Sequence, residues 1–321
     1  MNSRTIIEQA IAKTGRRRSE IKALYLRDKD IYQLPLGVFD GCVQLQTIDL
    51  SNNKISKIPP GIFNGCPQLR ILHLNNNMIF KLLSGTFHGY NQLLKLDLSH
   101  NHISTLPSDI FDVENQLQEL YLNYNTITTL SPSAFDKCIH LVELRLYRNQ
   151  IARLYSNMFS QCRQLKKLSL NCNRIIELPM GIFSRCEQLK SLSLVRNQIT
   201  ELFPGTFDGC RCLLVLLLDD NKITELYSGV FDGCSQLIFL SLAYNPITRL
   251  FHNVFDGVNQ LRTLYINGTP CKQIHKTTMD YLIQSNTRME NAICDRPFDR
   301  NSVLVDDSPI IEYEYCKGHM N

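Results

Sequence analysis

The 321-residue chain has no tryptophan, and its longest uninterrupted apolar run, Cys212 to Leu218, is 7 residues. A bilayer-spanning helix needs about 20, so the sequence offers no segment of that kind. Charge of one sign is also lacking, since 34 basic and 30 acidic residues leave a formal net charge of +4. Spread over this length, that weak field argues against a dedicated nucleic-acid or membrane-surface binder. Glycine (15) and proline (12) are too few for a low-complexity chain. There is no phosphate-cradling glycine loop, HExxH or GxSxG elbow, so neither catalysis nor a cofactor is expected. His73, His100 and His102 are close in sequence, but a metal needs three or four convergent ligands. Surface histidines are the simpler reading. The opening residues, MNSRTIIEQAIAKTGRRRSE, put Glu8 and a basic triplet where a secretory leader needs an apolar stretch.

What the sequence has in abundance is repetition. Leu45, Leu69, Leu93, Leu117, Leu141, Leu165, Leu189, Leu213, Leu237 and Leu261 follow one another at intervals of 24 residues, and Ile21 begins the series. A fixed period of this length means one supersecondary unit stacked on itself. Within a unit such as LQTIDLSNNKISKIPPGIFNGCPQ, Leu45, Ile48 and Leu50 end in a period-2 alternation, the mark of a short strand. An Asn follows in nine units, from Asn53 to Asn245, where the chain leaves the strand. A stacked amide there can satisfy backbone donors and acceptors together. Ile55 and its equivalents come next, and then ten aligned phenylalanines from Phe39 to Phe255 fill the wide side of the turn. Each Phe burial is worth about 2–3 kcal/mol.

These positions spell LxxLxLxxNxIxxLxxxxFxxCxx, and the chain resembles the typical 24-residue leucine-rich-repeat class. That class is familiar from ectodomains of Toll-like receptors, Slit-like proteins and variable lymphocyte receptors. The resemblance implies an α/β fold, a right-handed solenoid (horseshoe) with a parallel β-sheet on its concave face. Eleven strands at about 4.8 Å would make a surface about 50 Å long. The expected organisation is a capping helix and basic linker over 1–20, the solenoid over 21–268 and a capping region over 269–321. Thr5 is the expected helix cap, with Glu8 three residues on and Ile6, Ile7, Ala10 and Ile11 covering the first strand. Arg16–Arg18 read as a solvated linker. Lys29 and Thr269 replace the ladder Asn in the end units, as atypical capping repeats do.

Seven of the twelve cysteines, Cys42, Cys66, Cys138, Cys162, Cys186, Cys210 and Cys234, share one offset with Tyr90, Val258 and Glu114. A slot that takes Tyr and Val needs bulk, so these thiols are expected to be inert core. Cys172 sits at an outer offset flanked by Arg148 and Arg196, which would favour a thiolate. An accidental exposed Cys is the plainer reading. The segment holding Cys271, Cys294 and Cys316 resembles the cysteine-capped flank of extracellular leucine-rich-repeat proteins. That resemblance implies at most one bridge, Cys271–Cys294 or Cys271–Cys316. It favours a secreted or cell-surface location, whereas the N-terminus suits a cytoplasmic one. The sequon Asn267-Gly268-Thr269 matters only if the chain is exported.

The variable row of the strands runs Tyr25, Asp49, His73, Asp97, Tyr121, Arg145, Ser169, Ser193, Leu217, Ser241 and Tyr265. Variation on an invariant scaffold suits a recognition surface. The main candidate patch combines Glu119, Tyr121, Asn123, Tyr124, Glu143, Arg145, Tyr147 and Arg148, and its Tyr and Arg are types rich at binding hot spots. A second patch of exposed Val215, Leu217 and Phe239 is rimmed by Asp219 and Asp220. The functional expectation is a non-catalytic module that binds a protein on its concave face, resembling receptor ectodomains. An intracellular adaptor is the alternative, and an enzyme is a third reading.

Overall fold

The computed structural model describes residues 2–111 and 116–270, and the backbone of 288–289. Cys271, Cys294, Cys316, Glu114 and the apolar runs of the tail lie outside the described residues.

Helix α1 (Ser3–Lys13) opens the chain. Its cap is Asn2, whose side chain accepts from the Thr5 amide at 2.9 Å. Thr5 therefore sits one turn inside the helix, which corrects its assignment as the cap. Asn at this position satisfies one of the helix's unpaired donors. Ile7 and Ile11 are buried, with Ile6 and Ala10 packed alongside. The buried Ser3 hydroxyl accepts the amides of Tyr32 and Gln33 at 3.1 and 3.3 Å, pinning the helix to the first turn. The basic triplet is not wholly a linker. Arg18 pairs with Glu8 and donates to the Val38 and Asp40 carbonyls at 2.9 and 3.1 Å.

Each repeat contributes one short strand. These are β1 (Ala23–Tyr25), β2 (Thr47–Asp49), β3 (Ile71–His73), β4 (Lys95–Asp97), β5 (Glu119–Tyr121), β6 (Glu143–Arg145), β7 (Lys167–Ser169), β8 (Ser191–Ser193) and β9 (Val215–Leu217). A two-residue strand β10 (Glu225–Leu226), then β11 (Phe239–Ser241), β12 (Arg249–Leu250), β13 (Thr263–Tyr265) and β14 (Arg288–Met289) complete the set. The principal sheet is wholly parallel, in the order β1 to β9, β11, β13, β14. It has twelve strands, one more than the repeat count, because Arg288–Met289 adds to β13. β10 and β12 pair separately on the far side of the turn. The register carries the 24-residue period without a slip, so Tyr25, Asp49, His73, Asp97, Tyr121 and Arg145 stand side by side.

Nine asparagines hold the turns together as expected. Asn101 Nδ2 donates to the carbonyls of Leu74, Leu98 and Ser99 at 3.0–3.1 Å, while its Oδ1 accepts the Ile79 amide at 3.0 Å. One side chain thus joins two successive turns, and its equivalents repeat the pattern from Asn53 to Asn245. The phenylalanines stack with centroids about 6 Å apart from Phe135 through Phe255. Tyr90 fills the cysteine slot beneath Phe63, and its hydroxyl accepts the Phe63 amide at 3.2 Å. The thiols of Cys66 and Cys162 occupy the same slot and point at the carbonyl of the preceding Phe at 3.8 Å. All seven slot cysteines are buried and form no disulfide among the described residues, and Cys212 is half-buried. Burial pushes the thiols of Cys66, Cys186 and Cys234 up to about 12, as expected of inert core sulfur.

Candidate functional site

The strands β4 to β6 build the densest polar and aromatic cluster on the concave face. Tyr121 is its centre, flanked in register by Asp97 and Arg145. The Arg145 guanidinium lies 4.3 Å from the Tyr121 ring centroid, and the Lys95 ammonium lies 4.7 Å from the same ring. Lys95 also pairs with Glu119 at 2.8 Å, Arg145 with Glu143 at 2.6 Å, and the Tyr121 hydroxyl donates to Glu119 at 2.7 Å. Burial works to raise the Glu119 carboxyl, but Lys95 and Tyr121 outweigh it and hold it below its ordinary value. Burial and the bond to Glu119 push the Tyr121 phenol well up. The result is a set of planar groups held in place before any partner arrives, which lowers the ordering cost of binding.

The neighbouring turns extend the cluster. His100 stacks on Tyr124 with centroids 4.0 Å apart, Arg148 lies 5.0 Å from the same ring, and Tyr147 meets it edge-on at 5.5 Å. His100, Tyr124 and Arg148 all have positive φ, near 53°. They belong to a column just before the ladder Asn that also takes in Cys172, Arg196 and Asp220. That left-handed turn swings the chain off the sheet and lines up these side chains along its edge. Arg148 lies against Tyr124, and Arg196 donates to Asp220 at 3.0 Å.

Two residues of the first patch are not surface groups. Tyr147 is 7% exposed and Asn123 5%, so they support the cluster from below. Lys95 and His100, which the sequence reading omitted, belong to it. Each stands one repeat before an expected member, and the in-register period was the signal that could have found them. His73 joins the edge of the cluster through Asp97 at 3.9 Å. Burial works to raise Asp97, yet hydrogen bonds from His73 and Ser99 leave it below the usual carboxylate value.

The second patch requires a larger correction. Val215 and Leu217 are only 6% and 5% exposed. Phe239 stands beside Val215 in register, and its ring lies 5.3 Å from Tyr265. On a sheet that curves inward, side chains one strand apart converge above the backbone. Asp219 is drawn in as well. Burial pushes its carboxyl up to about 6 although it accepts a hydrogen bond from Ser241. Asp220 remains exposed and paired with Arg196.

No helix among the described residues is long and apolar enough to cross a membrane. The family described as BspA type leucine rich repeat region matches residues 104–238 and 152–284, and a general leucine rich repeat family matches residues 19–79 and 68–125. No curated protein matches the sequence. Among solved structures, the chain is similar to the Toll-like receptor TLR13 in its complex with a single-stranded RNA. The TM-score is 0.72 at 26% identity, over 83% of this chain and 38% of that one. It is similar to a chain of the Drosophila Toll–Spatzle complex with a TM-score of 0.66 at 26% identity, over 82% of this chain and 38% of that one. A leucine-rich-repeat protein of Leptospira interrogans shares the fold with a TM-score of 0.69 at 22% identity, over 85% of this chain and 72% of that one. This chain therefore spans well under half the length of the chains it matches in the TLR13 and Toll structures. With the asparagine ladder, the phenylalanine stack and the parallel concave sheet all in place, the chain belongs to the leucine-rich-repeat proteins.

Proposed function

We propose that this chain is a non-catalytic recognition module that binds a protein ligand on its concave face, with the Tyr121–Arg145 cluster as the principal contact. The observation that carries the reading is the approach of both Lys95 and Arg145 to the ring of Tyr121. The cluster's charges are paired and its planes fixed, while its members keep partly exposed edges. Tyr and Arg anchors of this kind dominate the energetics of protein interfaces. The likeness to Toll in complex with Spatzle supports a receptor-like role and, with it, a location outside the cell.

The similarity to TLR13 bound to single-stranded RNA favours a second reading and weakens the charge argument against nucleic acid. The concave rows carry Lys95, Arg145 and Lys167 among Asp49, Asp97, Glu119 and Glu143. A phosphate backbone is held by a stripe of unpaired basic groups, whereas this mixture suits a polar protein surface. Crosslinking the purified chain in secreted-protein extracts, followed by Tyr121→Ala with Arg145→Ala, tests the reading. The double variant should lose at least tenfold in affinity for the captured protein while staying folded. A fully retained affinity would move the site elsewhere, and saturable binding of single-stranded RNA with a steep salt dependence would favour the second reading.

A further inference from the structure

The weak net charge conceals a segregated column on the flank that holds β10 and β12. The position twelve residues after each leading Leu carries Lys57 and Lys81 in the early turns and Glu177, Glu201 and Glu225 in the late ones. Thr105, Thr129 and Arg153 lie between the two blocks. Glu225 is half-buried, and the other four charged groups of the two blocks are exposed. Lys57 and Lys81 face each other across a backbone bridge, and Glu225 takes only the Tyr227 hydroxyl. Like charges held side by side work against the fold unless opposite charges reach them. Two positions further on, Leu83 and Phe203 stand 44% and 45% exposed, with Pro59 and Tyr227 half-buried in the same row. Apolar side chains gathered beside such charges mark an interaction surface.

This flank bends little. Lys57 bridges Lys81, Thr105 bridges Thr129, and β10 pairs with β12. The amides of Thr128 and Thr200 donate to the carbonyls of Ser104 and Ile176, both at 3.2 Å. Turns hydrogen-bonded in this way stand about as close as strands of a sheet, about 4.8 Å, whereas the phenylalanine rings are about 6 Å apart. The flank can therefore meet a second flat surface along several turns.

We propose that this flank is the interface of a weak antiparallel dimer of two copies of the chain. A two-fold axis lying in the flank, parallel to the strands and passing between the turns of Thr129 and Arg153, sets each position against the same position of a different turn. Lys57 then meets Glu225 of the second copy, Lys81 meets Glu201, and Leu83 meets Phe203. Each contact occurs twice, as an isologous interface requires. A parallel arrangement would set lysine on lysine and glutamate on glutamate, so the polarity of the column selects the antiparallel one. The strip from the turn of Lys57 to that of Glu225 is about 34 Å long and about 13 Å wide. That is about 450 Å² per copy, against about 800 Å² in a standard stable interface, which makes the dimer a weak one. The inference concerns a different face from the ligand reading and stands without it.

Sedimentation equilibrium of the full chain, from micromolar to near-millimolar concentration, tests the proposal. A monomer–dimer equilibrium is expected, weakened several-fold at high salt. The charge-reversal variants K57E with K81E and, separately, E201K with E225K should each dimerise at least tenfold more weakly, with thermal melts confirming the fold. Mixing the two variants should restore the dimer, because every reversed charge then meets its opposite. Phe203→Ser should weaken the dimer without changing its salt dependence, and Tyr121→Ala with Arg145→Ala should leave it intact. A chain that stays monomeric throughout overturns the proposal, as do assemblies larger than a dimer. Charge variants that dimerise like the parent, or a mixture that stays monomeric, overturn it as well.

Discussion

Arg145 lies over the ring of Tyr121 from the adjacent strand, 4.3 Å from its centroid, with Glu143 at 2.6 Å fixing its guanidinium. Lys95, one strand earlier, lies 4.7 Å from the same ring centroid. Three consecutive turns therefore meet at one phenol. Cation–π contacts at half-exposed sites are worth about 0.5–1 kcal/mol each, enough to orient the groups but not to hold the solenoid together. A double-mutant cycle on Tyr121→Ala and Arg145→Ala should give a coupling of about 0.5–1 kcal/mol in urea unfolding. A coupling near zero would show that the two groups are not fixed against each other in solution.

The asparagine ladder should behave in the opposite way. Asn101→Ala removes three donated bonds and one accepted bond at a buried site, and it strands backbone carbonyls in two turns. The expected loss is about 3 kcal/mol or more. Asn75→Ala, at a half-exposed position on the same face, should cost under about 0.5 kcal/mol. Urea titrations followed by far-ultraviolet circular dichroism will rank the two.

Thiol chemistry separates core from surface. With their pKa pushed up to about 12, Cys66, Cys186 and Cys234 hold almost no thiolate at pH 8, and burial denies access as well. Iodoacetamide on the native chain should label Cys212 while leaving the slot cysteines untouched until denaturant is added. Mass spectrometry of the peptides reads this directly. Protein from its native source, run with and without reduction, also reports any link among Cys271, Cys294 and Cys316. Fast native labelling of Cys186 would contradict the packing of the phenylalanine stack.

Asp219 makes stability depend on pH in a defined direction. Its folded pKa of about 6 lies above the unfolded value of about 3.9, so between these limits the folded chain binds more protons. Its contribution therefore becomes less favourable as pH rises from about 4 to 6, and the full cost is present at pH 7. Asp219→Asn should stabilise the chain at pH 7 by about 2 kcal/mol, and the gain should vanish near pH 4. Thermal melts of both proteins at the two pH values measure it. A gain that is equal at both would place the effect outside ionisation.

The repeat period, the strand positions, the asparagine ladder, the phenylalanine stack and the inert cysteine slot were all legible in the sequence. Each is a nearest-neighbour requirement that every turn meets in the same way, so a column of identical residues reports it without any knowledge of the coordinates. The order of the concave row was legible for the same reason, because a 24-residue period with no slip forces the register. What only the tertiary structure decided concerns neighbours that differ. Whether Val215 and Leu217 stay open depended on the side chains that the folded sheet brings beside them. The role of Arg18 depended on where α1 came to rest. The burial that raises the Asp219 carboxyl emerged only once side chains from successive turns were placed side by side. Burial and pairing belong to the surroundings of a residue rather than to the residue itself, and the surroundings of this concave face are supplied by turns 24 and 48 residues away.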